Sequence, residues 1–329
     1  MRRATITGWG KYLPPNVMTN KDLEQIVDTT DEWIQKRTGI KQRRIADEDT
    51  ATSDLALEAS QEALEKANLD PKDLDLIIVS TVTPDMVFPA TACIIQDKIG
   101  AENAAAFDLE AGCSGFVYGL SVGAQFIESG LYDNILIIGA ETLSKITDWD
   151  DRNTCVLFGD GAGAAVLQPT DKGGFLSFDL GSDGSGADAL YMEAGGSLNP
   201  ATLETVKNKK HFIRMEGNPV FKFAVKTMKN ASLDVIEKAN LTTDDIDLLI
   251  PHQANTRIIK SARRRLKLDE DEVYVNLPEV GNTSSASVAI AMAEAKEKGV
   301  IQNGDHVLLV AFGAGLTWAA GVLEWNENI

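Results

Sequence analysis

The sequence predicts an α/β protein of two similar halves. Three observations predict it: a long internal repeat, short apolar runs with the length of strands buried on both faces, and helical patterns between those runs. Shifting the chain by 172 positions (237 − 65) lays Glu237-Lys238-Ala239-Asn240-Leu241 on Glu65-Lys66-Ala67-Asn68-Leu69, and Asp245, Asp247, Leu248 and Ile250 on Asp73, Asp75, Leu76 and Ile78. Nine of the fourteen positions 65–78 are identical under that shift. The same offset lays Asp305-His306-Val307-Leu308-Leu309-Val310 on Asp133-Asn134-Ile135-Leu136-Ile137-Ile138. A period this long means duplicated domains, not a solenoid. The halves are therefore set at 1–170 and 171–329, joined near Pro169-Thr170-Asp171-Lys172-Gly173-Gly174, where Pro and Gly punctuate the chain.

Each element follows from its pattern. Ser53 to Lys66 places apolar or small residues at helical spacing, with Ser53 and the acids after it as the opening signal. Leu76-Ile77-Ile78-Val79 and Ile135-Leu136-Ile137-Ile138 are continuous apolar runs of strand length. Residues 117–130 read as an apolar helix ending at Gly130. Gly159-Asp160-Gly161-Ala162-Gly163-Ala164 fits the loose G-x-G-x-x-A dinucleotide pattern, but only the short run Ala165-Val166-Leu167 follows it before Pro169. A nucleotide fold needs a long helix there, so this segment is read as a strand turn. Strands alternating with helices give parallel-rich sheets covered on both sides, with ligands beyond the carboxyl ends of strands. Packing two such halves puts helices between two sheets and a site where the halves meet.

Composition excludes several function classes. The 31 Lys+Arg against 49 Asp+Glu leave a net charge of −18, which argues against a general nucleic-acid binder. No run of 18 apolar residues spans a membrane, and the N-terminus carries no apolar stretch long enough for a signal peptide. Cys93, Cys113 and Cys155 are an odd number at unrelated spacings, neither a disulfide framework nor a metal knuckle, which fits a reducing cytoplasm. No P-loop is present, and no His/Cys/carboxylate spacing suggests a metal site.

The chain has three histidines. His306 begins a strand after a turn, and His211 lies in a polar stretch after Lys209-Lys210. His252 follows Leu248-Leu249-Ile250-Pro251, at the carboxyl end of a strand, where open α/β sheets place function. Cys113 lies in Glu110-Ala111-Gly112-Cys113-Ser114-Gly115-Phe116, a turn of small residues running into the apolar helix. A helix N-terminus favours thiolate, and thiolate is the nucleophile, although a buried structural cysteine fits the same context. Cys93 and Cys155 read as small core hydrophobes. Val280-Gly281-Asn282-Thr283-Ser284-Ser285-Ala286-Ser287 is another polar turn before a helix, with Ser285 opposite Cys113 under the repeat (285 − 113 = 172). Asn282 is either a helix cap or an amide donor to a developing oxyanion. Cysteine, histidine and asparagine together suggest covalent acyl chemistry, a set that a thiol protease would share.

Two further features concern binding. Arg257, Lys260, Arg263, Arg264, Arg265 and Lys267 crowd residues 257–267 with no acid among them, which suits steering of an anionic partner or a solvated face balanced by Asp269-Glu270-Asp271-Glu272. Trp33 and Arg37 stand four apart on one helix face, an indole beside a guanidinium that suits a nucleotide or local packing.

With these residues assembled, the sequence resembles the β-ketoacyl-acyl carrier protein synthase III family, the condensing enzymes that start bacterial fatty acid synthesis. Five motifs in family order carry the likeness: Asp28-Thr29-Thr30-Asp31-Glu32-Trp33-Ile34 with Arg37-Thr38-Gly39-Ile40; Ala111-Gly112-Cys113-Ser114-Gly115-Phe116; Pro251-His252-Gln253-Ala254-Asn255; Gly281-Asn282-Thr283-Ser284; and Ala311-Phe312-Gly313-Ala314-Gly315-Leu316-Thr317-Trp318. The resemblance implies a thiolase-like duplicated five-layer α-β-α-β-α fold, a homodimer, a cytoplasmic enzyme, and no metal or redox cofactor. It implies that Cys113 takes the acyl group of a short acyl-CoA, and that malonyl-acyl carrier protein then loses carbon dioxide and attacks it with His252 and Asn282 assisting. It further implies an oxyanion hole from the backbone N–H groups of Cys113 and Ala314. Coenzyme A and its pantetheine arm would meet Thr29, Trp33, Arg37, Arg152, Asn218 and Asn255. Arg257, with Lys260 and Arg264, would meet the carrier protein, and Phe88 and Leu316 the acyl pocket, Phe88 reaching across the dimer. The family commonly reads F-G-G-G-x-T-W-G, often with phenylalanine in the fifth place, where this chain has Ala314, Leu316 and Ala319. These departures bear on the acyl pocket, not the reacting groups. A related enzyme of secondary metabolism with another donor or acceptor, and a non-catalytic acyl-binding module, are the competing readings.

Overall fold

A computed structural model describes residues 2–326 of the chain. Its first sheet comprises β1 (Arg3–Tyr12), β2 (Leu76–Ser80), β3 (Ala105–Leu109), β4 (Ile135–Glu141) and β5 (Gly161–Thr170), in the order β1-β5-β4-β2-β3. Its second comprises β6 (Gly174–Ser182), β7 (Leu248–Pro251), β8 (His306–Gly313) and β9 (Thr317–Glu324), in the order β7-β8-β9-β6. The apolar runs fall in strands buried along their whole length, as β2 and β4 show. Parallel pairing sets Leu76 beside Ile135 in one sheet and Leu248 beside Val307 in the other, each residue 172 positions on (248 − 76; 307 − 135). The glycine-rich segment at 159–164 leads into β5 and pairs antiparallel with β4, with no helix after it.

The helices that matter to the site are α1 (Asp31–Thr38), α2 (Thr52–Ala67), α3 (Thr91–Ile99), α4 (Gly115–Glu128), α5 (Gly217–Lys238), α6 (Thr256–Leu266) and α7 (Ala286–Glu297). Phe116, Val117 and Leu120 of α4 and Val288, Ala289 and Met292 of α7 share one core with Ile78 and Ile137 of the first sheet and Ile250 and Leu309 of the second. That places α4 and α7 between the sheets. On the outer face of the first sheet α2 and α3 bury Leu55, Ala59 and Ile95. On the outer face of the second, α5 and α6 bury Met228, Val235, Ile258 and Ala262. The result is the five-layered α-β-α-β-α stack. Its burial is the main stabilising term, as for any chain of this size.

Two local readings need correction. Helix α2 starts at Thr52, not Ser53: the Asp54 carboxylate accepts the Ala51 N–H at 2.8 Å, and Ser53 is buried inside the first turn. Cys93 is exposed, because α3 turns Ala92 and Ile95 inward and residue 93 away from them. Cys155 is buried as expected.

Candidate active site

Strand β7 ends at Pro251 and hands His252 to the rim between the sheets, where the His252 N–H donates to the Val310 carbonyl at 2.7 Å. Its imidazole is buried, with Nδ1 2.6 Å from Ser287 Oγ and the Phe312 ring edge-on at 5.2 Å. Burial pushes its pKa down to about 3, so the ring is neutral near pH 7. Asn282 is pinned through its backbone: its N–H donates to the Leu157 carbonyl and its carbonyl accepts the Gly159 N–H, both at 3.0 Å. Its side-chain oxygen accepts the Ser284 N–H at 2.9 Å, which leaves the amide NH₂ as the end available to a ligand.

Cys113 occupies the turn Gly112–Ser114 that runs into α4. Gly112 holds φ +55°, and a Cβ there would meet the Ala314 nitrogen at 2.6 Å. A Cβ on Gly313 would meet the Cys113 nitrogen at 2.4 Å. Only glycines let these two turns touch. The contact is locked by hydroxyls: Thr317 Oγ1 lies 2.8 Å from the Ala111 carbonyl and 3.0 Å from the Ala314 carbonyl, and Ser114 Oγ lies 2.7 Å from the Ala111 carbonyl. The backbone N–H groups of residues 113 and 314 are thereby held as neighbours. Cys113 is buried, 8% exposed as a whole residue. Burial pushes it up to about 12, Ser284 hydrogen bonding pulls it down, and the nearby Glu141 carboxylate raises it further. The helix end favours thiolate, as the sequence suggests, but the burial that the sequence also allowed opposes it.

Cys113, His252 and Asn282 line one cavity of about 200 Å³, together with Trp33, Arg37, Arg152 and Asn255. Cys113, His252 and Asn282 are buried, whereas Arg37 and Arg152 are exposed, so the cavity runs from a basic, aromatic mouth to the thiol. Arg152 and Arg37 stand over the Trp33 ring at 5.1 and 5.8 Å, a cation–π stack made across the fold. A second cavity of about 510 Å³ also reaches Cys113, lined by Val82, Leu143, Ile146, Phe158, Leu190 and Ile213 among others. Cys113 thus stands where a polar-mouthed channel meets a largely apolar chamber.

The remaining residues are placed as follows. Asn255 caps α6 through the Arg257 N–H at 2.9 Å and donates to the Arg37 carbonyl at 3.0 Å, besides lining the first cavity. Asn218 is exposed in the first turn of α5, next to Gly217, which lines that cavity. The Thr29 hydroxyl is buried with no hydrogen-bond partner among the described residues. Arg257, Lys260 and Arg264 are exposed on α6, Arg257 lying 5.1 Å over the Phe221 ring. Phe88 is 83% exposed, in the loop after β2. Leu316 is buried against Gly186 and lines neither cavity. His306 bonds the Asp245 carbonyl, and His211 stacks on Phe212 away from both cavities.

Sequence reasoning missed several groups. Phe221, Val220 and Met215 complete the first cavity, from a helix and a three-residue strand with no motif. Glu141 is fully buried at the end of β4 and takes hydrogen bonds from Thr83, Ser285 and the Val82 N–H; burial raises its pKa against those bonds. A lone acid closing the run Ile135–Ala140 was the signal for it.

Fold and site define a cysteine-centred condensing acyltransferase of the duplicated α/β class. Residues 107–184 match the 3-oxoacyl-[acyl-carrier-protein] synthase III family and residues 236–325 match its C-terminal region. The chain is 63% identical over 325 residues to the β-ketoacyl-[acyl-carrier-protein] synthase III of Caldanaerobacter subterraneus subsp. tengcongensis, covering 98% of each. The crystal structure of that synthase from Thermus thermophilus superposes with a TM-score of 0.92 at 49% identity, covering 98% of this chain and 99% of the other. The priming β-ketosynthase of the R1128 polyketide pathway matches at a TM-score of 0.91 and 37% identity, covering 98% and 97%. The chain belongs to the 3-oxoacyl-[acyl-carrier-protein] synthase III family.

Proposed function

We propose that the protein condenses a short acyl-CoA with malonyl-acyl carrier protein to a 3-oxoacyl-acyl carrier protein. One observation carries this reading: Cys113 stands at the junction of a channel with a cationic mouth and an apolar chamber, with His252 and Asn282 lining the channel. The CoA phosphates and adenine suit Arg37, Arg152 and the Trp33 face, with Thr29 close by in sequence, while Asn255, which lines the channel, and Asn218, next to the lining residue Gly217, suit the pantetheine arm. In the first step the Cys113 Sγ–carbonyl bond forms, the CoA thioester bond breaks, and the thiol proton ends on the CoA sulfur. The N–H groups of Cys113 and Ala314 stabilise the tetrahedral oxyanion.

In the second step the malonyl carboxylate leaves as carbon dioxide and its electron pair forms an enolate. His252 and Asn282 donate N–H bonds to the enolate oxygen in a water-poor site. The enolate carbon attacks the acyl carbon, the bond to Cys113 breaks, and the thiolate takes up a proton. Both steps balance without a metal or redox cofactor. Arg257, Lys260 and Arg264 offer the acidic carrier a basic face. Met86, Val87 and Phe88 are an exposed apolar group that suits a homodimer contact, with Phe88 entering the partner's acyl chamber. The enzyme is assigned to the cytoplasm; no helix of the described residues is long and apolar enough to cross a membrane.

Intact-protein mass after incubation with a panel of acyl-CoAs, then a malonyl-acyl carrier protein chase, tests the proposal. Wild type should gain one acyl mass, Cys113→Ala none, and the chase should discharge it to a 3-oxoacyl carrier. Retained labelling in Cys113→Ala refutes the nucleophile. Acylation without discharge points to another acceptor, the reading that the similarity to a polyketide priming synthase favours.

A further inference from the structure

The repeat pairs positions that lie far apart in sequence. Position 80 answers to 252 and 115 to 287, each by the same offset (252 − 80 and 287 − 115, both 172). In the first half these are Ser80, closing β2, and Gly115, opening α4; a Cβ on Gly115 would meet Ser80 Oγ at 1.7 Å. The fold therefore drives strand-end and helix-start side chains together at this corner. In the second half the same corner carries His252 and Ser287, and the contact is a hydrogen bond of 2.6 Å between Nδ1 and Oγ. Both residues are at most 2% exposed.

The direction of that bond follows from the other partner of Ser287. The Gln253 N–H donates to Ser287 Oγ at 3.3 Å. A backbone amide can only donate, so the serine keeps its own proton to place, and Nδ1 is the acceptor beside it. A ring protonated on Nδ1 would strand that hydroxyl proton in a buried site, which folded proteins avoid. We infer that Ser287 is a positioning residue that holds His252 as the Nε2–H tautomer, aiming its single N–H into the cavity as a donor. This rests on the reading of His252 as a donor to the enolate oxygen. A ring so held cannot take the Cys113 proton on Nε2, which separates the acylation step from His252. The Phe312 edge packs the ring and limits its rotation.

The whole protein labelled with ¹⁵N-histidine decides it. Its three imidazoles are read by ring ¹⁵N–¹H correlation, with His252→Ala assigning the signal. Wild type should show Nε2–H at His252. Ser287→Ala should give mixed tautomers and lower kcat for condensation by about 10- to 100-fold at unchanged KM, the range seen when a metal-ligating histidine loses its orienting partner. Its Cys113 acylation should stay within about twofold, and Ser287→Thr, which keeps the hydroxyl, should restore tautomer and rate. An Nδ1–H tautomer in wild type overturns the inference. So does a Ser287→Ala enzyme with wild-type tautomer and turnover, or one in which acylation and condensation fall together. Failure of wild type to acylate would sink the condensing mechanism instead, while the tautomer measurement would still report on Ser287.

Discussion

Cys113 should behave as a neutral thiol in the resting enzyme, and its alkylation should show this. Two effects compete at that sulfur. The N-terminus of α4 favours thiolate by up to about 2 kcal/mol, which is about 1.5 pKa units. Burial pushes the thiol up to about 12, even with the Ser284 bond pulling down. Granting the helix end its full effect still leaves the pKa above about 10, so the thiolate fraction at pH 7 is about 10⁻³ or less. His252 does not change this: burial holds its imidazole down to about 3, so no imidazolium forms at neutral pH to pair with a thiolate. The assay is the iodoacetamide rate at Cys113, followed by peptide mass in a Cys93→Ser background because Cys93 is exposed. Since the thiolate reacts, the rate should climb about tenfold per pH unit from 6 to 9 without levelling. Ser284→Ala, which removes the bond that lowers the thiol pKa, should slow it further at any fixed pH in that range. A plateau below pH 8 would refute the reasoning and give the helix end the larger share.

Three other perturbations test separate parts of the site. His252→Ala and Asn282→Ala should still acylate Cys113 yet lose about 10² to 10³ in condensation, read by single-turnover chase, because each removes one donor to the enolate oxygen. Gly313→Ala places a Cβ 2.4 Å from the Cys113 nitrogen and should cut the acylation rate by about 10² through displaced oxyanion donors; an unchanged acylation rate would disprove that the turns must touch. Arg257→Glu should raise KM for the malonyl carrier while leaving Cys113 acylation by acyl-CoA intact, and the wild-type KM should rise with salt whereas that of the variant responds less.

Legibility in the sequence followed the range of the interaction. Strands such as β2 and β4 were visible because burial on both faces leaves an unbroken apolar run. The corners holding Cys113, His252 and Asn282 were visible as small or polar turns beside strand and helix ends. Trp33 and Arg37 were visible as helix neighbours, but the stack of Arg152 on Trp33 joins residues 119 positions apart (152 − 33) and has no local signature. Glu141 and Ser287 escaped for the same reason: one is satisfied by Thr83 and Ser285, the other by His252, all distant in sequence. The Cys113 proton escaped for another. A helix end can be read from four residues, whereas burial depends on contacts across the fold, such as those between the Gly112–Ser114 turn and residues 313–317.

The repeat also explains why one site forms where two equivalent corners exist. Each half ends a strand beside a turn that opens a central helix, and the 172-residue offset matches Ser80 with His252, Glu110 with Asn282, Cys113 with Ser285, and Gly115 with Ser287. The first half keeps the thiol and lacks the donors, since Ser80 faces a glycine. The second half keeps the donors and lacks the thiol: Ser285 is fully buried, its hydroxyl bound to Glu141 and the Ser80 carbonyl at 2.7 and 2.8 Å. Because α4 and α7 pack side by side between the sheets, the corner that holds the nucleophile opens onto the corner that holds the amide and imidazole. A charged pair at one corner would have to be desolvated by a single half, which is costly. Dividing the groups between halves lets the thiol, near 12, and the imidazole, near 3, be buried uncharged at separate corners.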